Sequence, residues 1–314
     1  MGEHDILCFG ETMAMLVAEQ SGDLASVERF HKRIAGADSN VAIGLARLGF
    51  NVAWLSRVGS DSLGRFVIAS LQREGLDCRY VGIDNSHPTG FQFKSRETDG
   101  RDPTVEYFRR GSAASHLSVA DVAPSLLKAR HLHATGIPPA LSSSLLELSH
   151  HLMQQHRQAG HTVSFDPNLR PTLWPDQASM IERINACAAL ADWVLPGLAE
   201  GQLLTGYKAP ADIAAFYLDQ GARAVVIKLG PEGAYFRSAE QQGTVAGVAV
   251  ARVIDTVGAG DGFAVGVISG LLEGLPLASA VTRGNWIGSR AVQSVGDMEG
   301  LPTRRELREQ APNS

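Results

Sequence analysis

The 314-residue chain is 44% hydrophobic and 19% charged, with a net charge of −5 from 28 Lys and Arg against 33 Asp and Glu. That composition suits a globular chain of one large domain with an appendage, or of two domains, and without a basic run it argues against nucleic acid as the main partner. No apolar stretch reaches membrane-spanning length, and the polar start Met-Gly-Glu-His-Asp lacks the basic segment of a signal peptide, so a cytoplasmic protein with no membrane partner is expected.

Short apolar runs alternate with amphipathic stretches along the chain. Ile6–Phe9 reads as a strand, 39–48 as a helix, 52–58 as a strand and 63–74 as a helix. Strand His131–Thr135, helix 142–158, strand Thr162–Asp166, helix 177–190, strand 193–195, helix 211–220 and strand 224–229 continue the alternation, and helices 261–273 and 277–293 follow. This βαβα order predicts a parallel sheet covered on both faces. Two stretches break it, 12–33 and 79–112. The latter shows period-2 alternation with Asp and Gly turns, the signature of hairpins, and predicts a small β-element over the strand ends. Cys8, Cys78 and Cys187 are widely spaced in apolar contexts and read as reduced core residues. His131 and His133 alternate along a strand, which favours core positions over metal ligation.

Five clusters carry candidate chemistry. Ala35-Gly36-Ala37-Asp38-Ser39-Asn40 opens a helix; its small residues let backbone approach a polyol while Asp38 and Asn40 supply an acceptor and an amide, although Asp38 or Ser39 would also serve as a plain N-cap. In Glu106-Tyr107-Phe108-Arg109, Tyr107 and Arg109 share one strand face. Asp166-Pro167-Asn168-Leu169-Arg170 follows a strand, and Arg170 suits a carboxylate or phosphate, with a structural salt bridge as the bland alternative. Lys228-Leu229-Gly230-Pro231-Glu232-Gly233 ends a strand in a turn that a nucleotide can lie against. The fifth is Asp255-Thr256-Val257-Gly258-Ala259-Gly260-Asp261-Gly262. A glycine turn entering a buried helix presents bare N–H groups and a positive dipole end to an anion, with Asp261 as a base beside it; a capped tight turn is the alternative. No P-loop, dinucleotide fingerprint or His-Arg-Asp kinase loop occurs.

Taken with these motifs, the chain resembles the ribokinase-like (PfkB) carbohydrate kinases over nearly its whole length. Residues 35–42 with Gly49 and Gly59 match the family's N-terminal signature, and 255–261 matches the C-terminal one. Within the family it looks most like 2-keto-3-deoxygluconate and 2-ketogluconate kinases, through Phe9-Gly10-Glu11, 107–113 and 166–174. The resemblance implies a three-layer α/β fold with a mainly parallel central sheet flanked by helices, formed by 1–11, 34–78 and 113–314, plus a β-sheet lid formed by 12–33 and 79–112. It implies ATP-dependent phosphorylation of the terminal C6 hydroxyl of a 2-keto sugar acid. Asp261 would be the base and Gly258, Ala259 and Gly260 the anion hole. Gly36, Ala37, Asp38, Asn40, Tyr107, Arg109 and Arg170 would meet the sugar acid, and Asn168, Lys228, Gly230, Gly233 and Asn285 would lie near ATP. Asp255 and Thr256 resemble the segment that often binds a monovalent cation, K+, in the family. One departure is Gly197-Leu198-Ala199-Glu200 where the family carries Asn-x-x-Glu, which leaves Glu200 alone for indirect contact with Mg2+. A homodimer through the lid is expected. A fructose- or ribose-type kinase of a neutral sugar and a catalytically silent sugar-binding regulator remain as alternatives.

Overall fold

The computed structural model describes residues 4–96, 103–254, 257–294 and 296–310. In chain order the elements begin with β1 (Ile6–Phe9), β2 (Met13–Ala18), β3 (Phe30–Ala35), α1 (Ala37–Arg47), β4 (Val52–Gly59), α2 (Ser62–Arg73), β5 (Val81–Asp84), β6 (Phe91–Lys94) and β7 (Val105–Phe108). There follow β8 (His131–Thr135), α3 (Ile137–Leu141), α4 (Ser143–Gln158), β9 (Thr162–Asp166), α5 (Gln177–Ala188), β10 (Trp193–Val194), α6 (Leu198–Thr205) and α7 (Pro210–Asp219). The last are β11 (Ala224–Lys228), β12 (Gly233–Ser238), β13 (Gln242–Ala246), α8 (Ala259–Leu272), α9 (Leu277–Ala291) and α10 (Arg304–Gln310).

A nine-stranded sheet runs in the order β13-β12-β11-β10-β9-β8-β1-β4-β5. All neighbours from β11 to β5 pair in parallel, and β12 and β13 add an antiparallel edge. The apolar runs have two faces to bury, and successive residues divide between them. Ile6 and Cys8 enter one core with α1, α8 and α9, while Leu7 and Phe9 enter another with α4, α5 and α7. Both Cys8 and Cys187 are buried, and all three cysteines are free. Within the histidine-bearing strand, His131 bonds Thr162 Oγ1 (2.8 Å) and Ser164 Oγ (2.9 Å), and His133 bonds Ser164 Oγ at 2.9 Å.

A second sheet, β3-β2-β6-β7, stands over the carboxyl ends of the central strands. The expected lid boundaries need correction on both sides. Val81–Asp84, inside the predicted 79–112 lid, instead extends the central sheet by pairing in parallel with Ser56–Gly59 of β4. Ile34 and Ala35, assigned to the main domain, belong to the second sheet as the end of β3, opposite Met13 and Ala14. The antiparallel β12–β13 edge and α6 lay outside the sequence expectation. Helix α1 starts at Ala37 rather than at 39, and α8 at Ala259 rather than at 261.

Candidate active site

The chain enters α8 through Gly258, which takes left-handed backbone at φ +80° as the N-cap. A Cβ there would collide with the carbonyl oxygen of Asp297. The first intrahelical bond runs from Gly262 N–H to Gly258 O at 2.8 Å. The N–H groups of Ala259, Gly260 and Asp261 therefore have no helical acceptor, and they sit at the positive end of a 14-residue helix. Asp261 lies in the first turn and does not cap the helix, so the plain capped-turn alternative fails. Its carboxylate accepts from Asn40 Nδ2 at 2.8 Å and from Asn168 Nδ2 at 3.4 Å. Burial pushes its carboxyl up to about 6; Asp166 and Asp297 add to the rise, while the Asn40 hydrogen bond and Lys228 oppose it.

The partners of Asp261 come from three other elements. Asn40 lies in the first turns of α1. Asn168 follows β9 with φ +39°, a left-handed conformation that asparagine tolerates better than most residues. Lys228 at the end of β11 donates to Asp166 Oδ2 at 2.6 Å, and its Nζ would lie 3.7 Å from a Cβ at Gly260. Burial works against that ammonium, but Asp166 and Glu200 outweigh it and hold its pKa above the ordinary lysine value. Desolvation also raises Asp166. Glu200 accepts from the backbone N–H of Leu169 and of Gly197, each at 2.7 Å, so the carboxylate ties α6 to the loop after β9.

A cavity of about 380 Å³ opens between the two sheets, lined by Asp261, Gly258 and Gly260 on one side and by strands β6 and β7 on the other. It brings together Ala37, Asn40, Tyr107, Arg109, Asn168, Arg170, Glu200 and Lys228 from the sequence-predicted set. Arg109 is not free: it binds Glu11 Oε2 through Nε (2.7 Å) and Nη2 (2.6 Å), and Ser112 Oγ donates to the other Glu11 oxygen. Arg170 is exposed, donates only to the carbonyls of Asn168 and Leu169, and forms no ion pair among the described residues, which removes the structural salt bridge as its role.

Other predicted residues lie off the cavity wall. Gly36 is the N-cap of α1, where a Cβ would press on the Glu11 carbonyl. Asp38 is buried against Gly10, with its carboxyl raised to about 7 by desolvation. Ala259 is the first residue of α8 and is not among the residues that line the cavity. Asn285, on α9, donates to the carbonyls of Val245 (3.2 Å) and Ala246 (3.0 Å), so its amide holds β13. Gly230 and Gly233 form the β11–β12 turn outside the cavity, and Gly233 is needed there at φ +104° against the backbone of β13. Asp255 and Thr256 lie outside the described residues. Sequence reasoning missed Gln92, Lys94 and Asp297, which all line the cavity. The alternation Phe-Gln-Phe-Lys in β6 carried the signal for the first two; Asp297 sits in a loop with no pattern to mark it.

A buried carboxylate against a helix amino end, at the carboxyl ends of a parallel sheet, is an arrangement suited to phosphoryl transfer. The profile of the pfkB family carbohydrate kinases matches residues 3–304. The chain belongs to the pfkB family. It is thus a carbohydrate kinase, a phosphotransferase that uses ATP. Its similarity to the 2-dehydro-3-deoxygluconokinase of Bacillus subtilis (strain 168) is 54% identity over 305 residues, 96% of this chain and 94% of the relative. A pfkB protein structure from Polaromonas sp. JS666 superposes with a TM-score of 0.91 at 55% identity, covering 97% of this chain and 99% of that one. A candidate ribokinase II of E. coli, solved with ATP and Mg2+, superposes with a TM-score of 0.89 at 26% identity, with 98% of each chain covered. No helix among the described residues is long and apolar enough to cross a membrane.

Proposed function

We propose that this kinase transfers the γ-phosphoryl group of ATP to the terminal C6 hydroxyl of a 2-keto sugar acid, 2-keto-3-deoxygluconate or 2-ketogluconate. The observation that carries the reading is Asp261, a buried carboxylate with a pKa near 6 at the cavity wall, beside N–H groups that the helix leaves unpaired. Asp261 takes the hydroxyl proton through one oxygen while Asn40 and Asn168 fix the plane of its carboxylate. The N–H groups of the 258–260 turn and the Lys228 ammonium near Gly260 meet charge developing on the transferred group.

Preference for an acid follows from Arg170, a guanidinium on the cavity wall with no carboxylate partner among the described residues. A bidentate carboxylate fills that fork, whereas a neutral sugar leaves it with water alone. The name of the Bacillus subtilis relative agrees with an acid substrate. A fructose- or ribose-type activity lacks a partner for Arg170, and a silent regulator has no need of Asp261.

Mg2+ carried on nucleotide phosphates and water needs no cage of protein ligands. Mg2+ bound there would offset phosphate charge, and Glu200, on the same cavity wall with one backbone N–H on each oxygen, would help to hold it. A K+ site at Asp255 and Thr256 belongs to the same proposal, as does a cytoplasmic setting for three free cysteines. Tyr107 and Phe108, 54% and 48% exposed on the edge strand β7, favour a homodimer through the second sheet.

The deciding experiment is ATP turnover against 2-keto-3-deoxygluconate, 2-ketogluconate, fructose and ribose. Turnover of an acid with kcat/KM well above that of both neutral sugars is expected. Preference for fructose or ribose would overturn the acid reading while leaving the kinase intact.

A further inference from the structure

Asp166 is not among the residues that line the cavity, yet its carboxylate holds two that are, Lys228 and Asn168. It ends β9 and is only 2% exposed. Its Oδ2 accepts from Lys228 Nζ at 2.6 Å, which ties β9 to the end of β11 across the intervening β10. Its Oδ1 accepts from the backbone N–H of Asn168 at 3.2 Å, closing a tight turn. From that turn Asn168, at φ +39°, reaches Asp261 through its side-chain amide at 3.4 Å.

We propose that Asp166 is a positioning residue for phosphoryl transfer: one oxygen holds the Lys228 ammonium in place for the transferred group, and the other holds the turn that presents Asn168 to Asp261. A single carboxylate thereby sets both the cation and the amide of the site. This inference rests on Asp261 being the base and on Lys228 meeting the transferred charge.

Three carboxylates act on the Lys228 ammonium, those of Asp166, Glu200 and Asp261, and only Asp166 bonds it among the described residues. A lysine ammonium is a point charge on a flexible four-carbon stem, so the acceptor it bonds decides where it points. Released from Asp166, it is drawn toward Glu200 and toward Asp261, and a bond to Asp261 would occupy the base. Asn168 depends on the same carboxylate for a different reason. Left-handed backbone is unfavourable for a residue with a side chain, and an aspartate two positions earlier that accepts its N–H supports that conformation. The short spacing from Asp166 to Asn168 serves the turn, and the side-by-side strands serve the lysine.

The test is kcat and KM for the intact enzyme, Asp166→Asn, Lys228→Met and the double variants Asp166→Asn/Lys228→Met and Asp166→Ala/Lys228→Met. Asparagine at 166 keeps an oxygen for the Asn168 N–H but offers Lys228 no charge, whereas alanine loses both bonds. Asp166→Asn is expected to lower kcat by about 10- to 100-fold, with KM for the sugar acid within about threefold of the parent. On the Lys228→Met background the same substitution should cost less than about threefold, because the ammonium it positions is gone. Asp166→Ala/Lys228→Met should be slower than Asp166→Asn/Lys228→Met by about fivefold or more, the share carried by the turn. An unchanged kcat in Asp166→Asn, or an equal loss with and without Lys228, would overturn the inference. Should a single variant fail to fold, the two double variants decide, since neither strands a charge, and equal kcat in both overturns the inference. The readings fail separately: near-normal kcat in Asp261→Asn or Lys228→Met removes the reading beneath the inference, whereas equal losses on both backgrounds remove the inference alone.

Discussion

Among the described residues Asp261 is held by two amides and no cation bonds its oxygens, which leaves the proposed base open to a substrate proton but costs stability. At the residue scale the first prediction follows from its pKa of about 6. The base must be ionised to accept a proton, so kcat/KM should fall as pH drops through about 6 and level off above it. Asp261→Asn should lower kcat by about 10³-fold while ATP still binds, measured by steady-state kinetics and nucleotide titration. The second concerns the carboxylate of the proposed substrate. Arg109 is engaged with a buried Glu11, so its removal would strand that charge and confuse affinity with folding. Arg170 gives the cleaner experiment: Arg170→Ala should raise KM for the sugar acid by about 10- to 100-fold, with KM for ATP little changed. Equal effects on both substrates would remove Arg170 from the sugar site.

At the scale of elements, the cavity depends on how closely α8 packs on α9. Gly266 has no room for a methyl group, because a Cβ would strike the backbone of Gly284 across the interface. Gly266→Ala should therefore destabilise the fold by about 1–3 kcal/mol, read by denaturant unfolding, and lower turnover by displacing the amino end of α8. Legibility also varies with element. The central alternation was readable because residues such as Ile6, Leu7, Cys8 and Phe9 must all be apolar to fill two cores. Gly258 and Asp261 were readable because bare helix N–H groups need a glycine turn. The Lys94–Asp297 pair was not, because its members are joined only by the tertiary fold across 203 positions. Val81–Asp84 was misassigned since the same period-2 pattern serves an edge strand in either sheet. Asn285 was assigned to ATP by resemblance, while its amide is spent on β13.

The whole molecule carries two opposing sets of buried titratable groups. Burial holds His131 far below the ordinary 6.5, His133 at about 3 and His156 at about 4. These imidazoles stay neutral when folded but protonate when unfolded, so their stabilisation is complete above pH 6.5 and is lost as pH falls below it. Asp38 and Asp261, raised by burial to about 7 and about 6, act in reverse. They take up protons in the folded state first, so their contribution is present below the unfolded value of 3.8 and is lost as pH rises through 6 to 7. Between these limits the two sets offset each other. The variant Asp38→Asn/Asp261→Asn should uncover the histidines, losing stability below pH 6.5 at up to about 1.4 kcal/mol per histidine per pH unit. At pH 8 the same variant should be the more stable protein, because it no longer ionises two buried carboxyls. Unfolding curves across this range check both signs, and parallel curves for variant and parent would refute the assignment.

The pairing of β2 with β6 has a consequence for how the chain acquires its structure. These strands run in parallel, Ala14 opposite Phe91, yet the α1–β4–α2–β5 excursion separates their hairpins along the chain. The hairpin partners β3 and β7 join one to each. Neither half can bury its face until the excursion has docked and brought the other half alongside, so loop closure must precede any gain from the second sheet. Amides of the second sheet should therefore acquire protection from hydrogen exchange after those of β1, β4 and β8 during refolding. A nascent chain that ends before residue 91 would hold β2 and β3 as an uncovered ribbon, the stretch most open to proteases and chaperones during synthesis.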